Sequence, residues 1–243
     1  IKMIHHGDAI AIDNAFFYDK IIKAHKKREP LLQTETNSYR LIFGENDGFP
    51  GLIADVYADV LVVKLYSEIW IDYLQGILES LIEISNCETI VIRLSRNLQQ
   101  SKSHDLRDGE VVYGMLENNV VQFEEHGVFF SADVIQGHKT GYFLDHRLNR
   151  KQVGEWSRDK TVLDVFSYAG GFSVHALANG AKEVTSLDIS KQALDMAKSN
   201  AKLNDFSGKH MTIAGDAFKE MKKLISNNKT FDVVVIDPAS FAK

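Results

Sequence analysis

The sequence predicts an α/β protein in which a doubly wound parallel sheet follows a smaller α+β unit. Two observations lead to this prediction. From residue 136 onward, apolar strand-like runs alternate with helix-like runs, which is typical of parallel βαβ units. Between residues 31 and 135, short β-rich runs are separated by turn-forming residues, which favours antiparallel pairing around one helix.

Residues 1–18 hold too few apolar runs to close a domain. The fragments "AIAI" and "AFFY" are interpreted as short β-strands, a helix is predicted over 21–25, and Pro30 is expected to end it. The stretch "DKIIKAHKKR" is basic and predicts either a solvent-exposed helix face or a patch that contacts phosphate. Residues 1–30 therefore look like a partial segment with a linker helix.

In the α+β unit, "YRLIFGENDGFPGLIADVYADVLVVKL" contains β-rich stretches broken by turn residues and predicts a hairpin or meander. The apolar spacing of "SEIWIDYLQGILESLIEI" predicts an amphipathic helix. "TIVIRL" is interpreted as a strand, and so are "VVYGML", "VVQFEEHG" and "VFFSADV".

The C-terminal part begins with a helix predicted over 144–156. Strands are then predicted at 161–166, 183–188, 210–213 and 231–236, with helices at 172–179, 190–203 and 216–226 between them. The sheet stops after four strands, which would leave apolar surface uncovered, so we expect the native protein to continue beyond Lys243.

Composition narrows the class of protein. The chain of 243 residues is 44% hydrophobic and has no run of about 20 apolar residues, so we expect a soluble protein without a membrane span. Cys87 is the only cysteine, which excludes a disulfide within the chain and favours a cytoplasmic protein. Its neighbours offer nothing to activate a thiol, and no metal site is expected. The net charge of −5 permits a local nucleic-acid surface.

A glycine turn follows the first strand of the parallel sheet, in "TVLDVFSYAGGFSVHALANGAKEVTSLDIS". Ligands of doubly wound sheets bind at the carboxyl ends of the strands. Gly170 and Gly171 allow the backbone to approach a ligand, and the helix that starts at Phe172 and Ser173 presents free N–H groups. Asp188 ends the next strand, where its carboxylate can accept both hydroxyls of a ribose.

The same turn discriminates between adenosine ligands. A dinucleotide site needs G-x-G-x-x-G, whereas here the glycines are adjacent and the third is missing. Asp164 within the strand would oppose a pyrophosphate but suits a cation. S-adenosylmethionine (SAM) fits better, with Asp164 near its amino-acid end, Asp188 on its ribose and Asp216 near its adenine. For Asp216 alone, a helix N-cap is an equal alternative.

"VVVIDPASFAK" places Asp237 and Pro238 after the fourth strand, beside the reactive end of such a cofactor. The Asp237 carboxylate can accept a hydrogen bond from an amino group or a ring nitrogen of a base. Pro238 stiffens the turn. Phe241 either packs on the base or fills the core.

Four stretches together resemble one family: "QGHKTGYFLDHRLNR", "VLDVFSYAGGFSVHALANGAKEVTSLDIS", "ALDMAKSNAKLN" and "FDVVVIDPASFAK". They look like class I SAM-dependent methyltransferases of large-subunit ribosomal RNA, in the cytosine-C5 branch, over about residues 20–243. The resemblance implies a Rossmann-like methyltransferase domain at 136–243, an α+β middle domain at 31–135, and a remnant of a PUA-type RNA-binding domain at 1–30.

The resemblance also places Lys139 to Arg147 over the cofactor cleft. Phe143 would pack on the cofactor, and Asp145 and Arg147 would position its amino-acid end. The alternative is that Asp145 and Arg147 brace the helix that follows. The expected cofactor-binding set is Phe143, Asp145, Arg147, Asp164, Ser167, Tyr168, Ala169, Gly170, Phe172, Ser173, Asp188, Ile189, Ser190, Asp216, Ala217, Phe218 and Asp237.

The resemblance implies that the product is 5-methylcytidine in large-subunit rRNA, with Asp237 and Pro238 as catalytic residues. The family's nucleophilic cysteine is expected beyond Lys243, since Cys87 does not match its motif. Ala239 replaces the second proline of the usual Asp-Pro-Pro. A homodimer is compatible with the sequence.

Three alternatives stay open. A guanine N-methyltransferase of the same RNA carries a similar T-G-x-F-L-D-H-R run, and His146 does not separate the two branches. A relative that binds RNA without catalysis would accommodate Ala239 and the missing cysteine. An NAD-linked oxidoreductase is disfavoured by the adjacent glycines.

Overall fold

The computed structural model describes residues 3–238, which form two units. The first unit comprises the residues up to Gly127 together with 131–144, and the second comprises 128–130 together with the residues from Asp145 onward. The predicted three-part division of the chain at residues 30 and 135 stays a prediction.

A five-stranded mixed sheet with strand order β1-β2-β3-β4-β5 forms the centre of the first unit. Only β3 and β4 are parallel, because a helix crosses over between them. The predicted meander is confirmed. The elements are α1 (Asn14–Lys26), α2 (Glu29–Leu32), β1 (Ser38–Phe43), β2 (Leu52–Tyr57), β3 (Val60–Leu65), α3 (Leu74–Ser85), β4 (Thr89–Leu94), α4 (Arg96–Gln99), β5 (Glu110–Tyr113) and β6 (Val120–Glu125), with 3₁₀ helices at Gly44–Asp47 and Glu68–Tyr73.

The interpretation of "AIAI" and "AFFY" as strands is wrong, because in the described residues no strand precedes β1 and "AFFY" lies in α1. The side chain of Asp13 caps the helix by accepting the N–H of Phe16 at 3.0 Å. Phe17, Ile21 and Ala24 are buried on one face, and α1 packs on α3. Four apolar residues are compatible with both the helical and the strand periodicity. Over the whole of α1 the buried residues follow the helical spacing. Pro30 does not end the helix predicted over 21–25, since α1 ends at Lys26 and Pro30 lies in the first turn of α2.

The two faces of the sheet differ in character. One face carries the apolar core beneath α1 and α3, with Leu41, Val63 and Ile92 among its fully buried residues. The other face carries the polar side chains of Asp55 and Tyr57, and the segment from residue 134 to 142 covers it.

Thr140 fastens that covering segment to the sheet. Its hydroxyl donates to Asp55 Oδ2 at 2.6 Å and lies 2.9 Å from the Tyr57 hydroxyl. The Tyr57 hydroxyl also donates to the carbonyl of Tyr142 at 3.1 Å and accepts its N–H at 3.2 Å. Asp55 is fully buried, and Arg40 pairs with both of its oxygens at 2.7 and 2.9 Å. One buried carboxylate therefore connects β1, β2 and the "KTG" residues.

The second unit contains a four-stranded parallel sheet with order β10-β9-β8-β11. The predicted alternation of strands and helices is confirmed. Strand β7 begins in this unit and ends in the first, and it forms a two-stranded sheet with β6. The elements are β7 (Val128–Asp133), α5 (Arg147–Trp156), β8 (Thr161–Val165), α6 (Gly171–Ala178), β9 (Glu183–Asp188), α7 (Lys191–Ala201), β10 (Lys209–Ala214), α8 (Ala217–Ser226) and β11 (Val233–Ile236).

The direction of winding reverses at β8. Helices α6 and α7 connect strands on one side of β8, and α8 returns the chain to the other side, so right-handed crossovers place α8 on the opposite face. Met221 and Leu224 of α8 accordingly pack against Leu163 and Leu187. Asp164 alternates with Leu163 and therefore faces α6. Within residues 3–238 no helix is both long and apolar enough to cross a membrane.

We expect Asp55→Ala to lower the free energy of unfolding by about 3 kcal/mol, because it leaves Arg40 and Thr140 without their buried acceptor. Urea denaturation followed by circular dichroism measures the change. Asp72→Ala removes an exposed carboxylate of the same unit and serves as the matched control. Equal stability of the two variants would contradict a structural role for Asp55.

Candidate functional site

The carboxyl ends of the four parallel strands meet at one edge of the second unit. The chain leaves the sheet there at residues 166–170, 188–190, 215–216 and 237–238. The residues predicted from the glycine turn and from the strand-end acids are all brought to this edge. Because winding reverses at β8, the turn after β8 lies at the topological switch point.

Asp164 is the buried carboxyl group of this edge, with 1% of its surface exposed. Ser173 donates to its Oδ2 through both the backbone N–H, at 3.0 Å, and the hydroxyl, at 2.6 Å. Burial raises the pKa of Asp164 to about 6; the Ser173 hydrogen bonds oppose this rise, and the nearby Asp237 and Asp188 carboxylates add to it. The carboxylates of Asp188 and Asp237 lie near enough to act on Asp164, and a group of acids at one edge favours a cationic ligand.

A chain of polar side chains extends from Asp164 across the sheet. The hydroxyl of Ser173 lies 2.6 Å from that of Ser186, and Ser186 lies 2.8 Å from Nε2 of His210. Burial lowers the pKa of His210, and Lys198 lowers it further. These partners satisfy polar groups that would otherwise be costly to bury beside Asp164.

The turn after β8 has a constrained backbone. Phe166, Tyr168 and Gly170 have φ values of 65°, 47° and 78°, in the left-handed region that non-glycine residues seldom adopt. Asn200 of α7 donates to the carbonyl of Ala169 at 3.0 Å. The structure holds this turn in one conformation despite its strain.

Two residues of the turn, Gly170 and Ser167, show what surrounds it. A Cβ on Gly170 would lie 2.7 Å from the Cβ of Ala197, so this glycine provides room for α7 rather than only for a ligand. The Ser167 hydroxyl is buried and has no hydrogen-bond partner among the described residues. Such a group is costly unless something else satisfies it, and a polar ligand at the turn would do so.

Asp188 is held by the backbone on both sides. Its Oδ2 accepts the N–H of Tyr168 at 2.9 Å, and its Oδ1 accepts the N–H of Ser190 at 2.8 Å. A carboxylate has about four lone-pair directions, so each oxygen retains capacity for another donor. The next residue, Ile189, exposes 77% of its surface, which places an apolar side chain beside the carboxylate.

At the next strand end, Asp216 caps α8 by accepting the N–H of Lys219 at 2.9 Å. The N-cap alternative for this residue is therefore realised, and its contact with adenine stays a prediction. Ala217 is buried, whereas Phe218 is half exposed and lies edge-on to Phe166 with 6.3 Å between ring centroids.

The residues of the K-T-G-x-F-L-D-x-R run fall in both units. Phe143 lies in the first unit, is 38% exposed and has the Lys139 ammonium 5.8 Å from its ring centroid. Arg147 begins α5 in the second unit. The carboxylate of Asp145 is exposed, while its backbone carbonyl accepts a hydrogen bond from the buried Arg150 at 2.6 Å. The backbone of Asp145 thus braces α5, and its carboxylate Oδ2 lies 4.0 Å from Nε2 of His146.

At the last described strand end, the N–H of Asp237 lies 3.5 Å from the carbonyl of Val165 and continues the β8–β11 pairing. Pro238 follows it, and Ala239 and Phe241 lie outside the described residues. Burial raises the pKa of the Cys87 thiol, which disfavours the thiolate. In the described part of the chain no cluster of His, Cys, Asp and Glu could hold a metal ion.

Sequence reasoning missed three residues that support Asp164 and the glycine turn: Ser186, His210 and Asn200. Asn200 carried a signal, because it stands three residues after Ala197 on the buried face of an amphipathic helix. A polar residue at such a position usually has a specific partner. Ser186 and His210 had none, since their contacts join separate strands.

Comparisons with known proteins agree on the family. A family model described as S-adenosylmethionine-dependent methyltransferase matches residues 39–243. The ribosomal RNA large subunit methyltransferase of Deinococcus radiodurans is 40% identical over 250 residues, covering 100% of this chain and 61% of the relative. The ribosomal RNA large subunit methyltransferase I of Vibrio vulnificus is 37% identical over 242 residues, covering 96% of this chain and 59% of the relative.

Among solved structures, the crystal structure of SMU.776 complexed with SAH is similar with a TM-score of 0.82 and 24% identity, covering 97% of this chain and 60% of that one. This similarity concerns the fold. The chain spans 61% and 59% of the lengths of the two curated relatives.

The raised pKa of Asp164 predicts a pH-dependent stability. Because the folded-state pKa of about 6 lies above the ordinary 3.8, the contribution of the protonated carboxyl is fully present below 3.8 and is lost as the pH rises through about 6. Asp164→Asn removes this titration. Between about pH 4 and about pH 7.5 the wild type should lose about 3 kcal/mol of stability relative to the variant.

Urea denaturation of both proteins over this pH range, without added ligand, measures the difference. Asp195→Asn, an exposed carboxylate on α7, is the control and should follow the wild type. Parallel curves for wild type and Asp164→Asn would show that the Asp164 carboxyl titrates normally.

Proposed function

The chain belongs to the family of S-adenosylmethionine-dependent methyltransferases, and from this premise we propose that it binds SAM at the carboxyl edge of β8 and β9 and methylates large-subunit ribosomal RNA. The observation that carries the proposal is the arrangement of Asp164, Ser167 and Asp188 around one strained turn. The names of the two curated relatives support the choice of RNA.

The residues present fit the parts of SAM. The negative potential at Asp164 suits the ammonium and sulfonium charges, and the unpartnered hydroxyl of Ser167 offers a hydrogen bond to the amino-acid end. The free lone pairs of Asp188 suit the two ribose hydroxyls, and the exposed Ile189 suits one face of adenine.

The bound cofactor would supply a methyl group activated by a sulfonium. The task of this chain is then to position the accepting base in line with that methyl group and to exclude water. Asp237 follows β11 beside this site, and its carboxylate can accept a hydrogen bond from the amino group of a base. We propose that Asp237 orients the base and that Pro238 fixes the direction of the turn. The base must be unstacked or single-stranded to enter.

We propose 5-methylcytidine as the product, as the resemblance of the motifs implies. That reaction needs a thiolate that adds to C6 of cytosine, so that C5 takes the methyl group; C5 then loses its proton and the thiolate is expelled. Cys87 does not suit this role, since it is buried in the first unit and its thiol pKa is raised by burial. The thiolate must come from another cysteine.

The state of Cys87 also favours one alternative. Methylation of a guanine nitrogen requires no thiolate, because a ring or exocyclic nitrogen already has a lone pair. For that product Asp237 would accept an N–H of the guanine. The two products therefore differ in whether the protein must supply a thiolate: cytosine C5 requires one, and a guanine nitrogen does not.

Cofactor binding tests the role of Asp188. We expect Asp188→Asn to weaken SAM binding by roughly 1–3 kcal/mol, because an amide has only one acceptor oxygen and no charge. Isothermal titration calorimetry on the 243-residue chain measures it. Asp195→Asn, on the neighbouring α7, should bind as the wild type does. Unchanged affinity in Asp188→Asn would remove Asp188 from the site.

The identity of the methylated nucleoside tests the reaction. The protein expressed from the complete reading frame that encodes this chain is incubated with methyl-labelled SAM and unmodified large-subunit rRNA. The RNA is then digested to nucleosides. We expect label in 5-methylcytidine, and loss of label in Asp237→Ala even at a SAM concentration that saturates the variant. Label in a methylguanosine would favour the alternative, and intact cofactor binding without label would contradict rRNA methylation.

A further inference from the structure

We propose that an exposed stripe of alternating aromatic and cationic side chains on the first unit binds a single-stranded segment of the RNA substrate. The inference rests on the proposed function for the nature of the substrate and adds the surface that holds it. This aromatic–basic stripe consists of Arg40, Phe43, Lys64, Tyr66, Lys139 and Phe143.

The stripe is built from three cation–ring pairs. They are Arg40 with Phe43 at 5.3 Å, Lys64 with Tyr66 at 5.8 Å, and Lys139 with Phe143 at 5.8 Å, each measured to the ring centroid. The ammonium of Lys64 also donates to the carbonyl of Lys139 at 2.9 Å and joins the second pair to the third. Strand register places the first pair near the second, because Arg40 lies opposite Asp55 and Lys64 lies opposite Ile53, two residues away on the same face of β2.

Strand register explains why these residues share a surface. Phe43 pairs with Ile53, Ile53 with Lys64, and Lys64 with Arg93, so their side chains form one row across four strands. This row lies on the face that α1 and α3 do not cover. The segment that contributes Lys139 is fastened to the same face through Thr140.

The charges of the stripe are not neutralised equally. Arg40 is paired with Asp55, and the neighbouring Arg93 with Asp108. In the described part of the chain, neither Lys64 nor Lys139 has a carboxylate within ion-pair distance. Burial and the neighbouring Arg93 lower the pKa of Lys64, so the exposed Lys139 is the better of the two ammonium groups for a phosphate on this surface of a protein of net charge −5.

The rings provide the second part of the recognition. Phe43, Tyr66 and Phe143 expose 48%, 44% and 38% of their surfaces. Exposed rings that alternate with cations match the chemistry of a single strand, in which unstacked bases lie on rings and phosphates lie against ammonium groups. In a duplex the base faces are already stacked, so the rings would gain little.

Fluorescence anisotropy with a labelled single-stranded RNA of about 12 nucleotides and mixed sequence tests the stripe, since sites of this kind span about 4–16 nucleotides. We expect Phe43→Ala and Tyr66→Ala each to weaken binding by roughly five- to hundredfold. Lys139→Ala should reduce the slope of log affinity against log salt by about 0.7. The controls are Tyr113→Ala and Lys102→Ala, exposed residues of the same unit, which should change neither quantity.

Two outcomes would overturn the inference. One is equal affinity of the stripe variants and the wild type for this RNA. The other is displacement of the RNA by an acidic peptide as readily as by unlabelled single strand, which would assign the surface to a protein partner. Circular dichroism shows that each variant is folded.

The assay separates this inference from the proposed function. Stripe-dependent RNA binding without methyl transfer would support the stripe and contradict the proposed activity. Methyl transfer to rRNA by a protein whose stripe variants bind RNA normally would overturn the stripe alone.

Discussion

The polar contacts around the turn after β8 depend on one buried carboxyl group, that of Asp164. A charged group at 1% exposure is costly, and here Ser173, Ser186 and His210 form the polar chain that makes it tolerable. Even so, the carboxyl takes up a proton at a higher pH than an exposed one would. At neutral pH the buried ionised carboxylate lowers the stability of the fold. A cationic ligand would offset part of this cost on binding, because it would favour the ionised form.

The turn after β8 depends on that carboxyl group and on contacts from two other elements. Ser173 joins the start of α6 to Asp164, Asp188 receives the N–H of Tyr168, and Asn200 holds Ala169. These contacts maintain left-handed residues that would otherwise relax. These contacts come from the chain itself, and a turn that is constrained in this way lowers the entropy cost of binding. The buried hydroxyl of Ser167 is the group that remains unsatisfied.

The βαβ alternation was predictable because each strand and helix carries its own periodicity over many residues. The strand assigned to "AFFY" was wrong because four apolar residues contain too little period to choose between helix and strand. The fastening of Thr140 to Asp55 was not predictable, since 85 positions separate the two residues and no local pattern links them. Likewise, the acids at the strand ends were foreseeable from their positions, whereas the Ser186–His210 contact depends on side-chain packing between β9 and β10.

The segment from Lys139 to Arg147 links the two units along the chain. Thr140 is anchored on the sheet of the first unit, and Arg147 begins a helix of the second, so only a few residues separate the two attachments. Under the stripe proposal Lys139 and Phe143 contact RNA, which for Phe143 replaces the cofactor contact that the resemblance implies. The resemblance places Asp145 and Arg147 on the cofactor. The first part is attached to the sheet by the buried hydrogen bond of Thr140. One short stretch of the chain would then carry residues for RNA and residues for the cofactor.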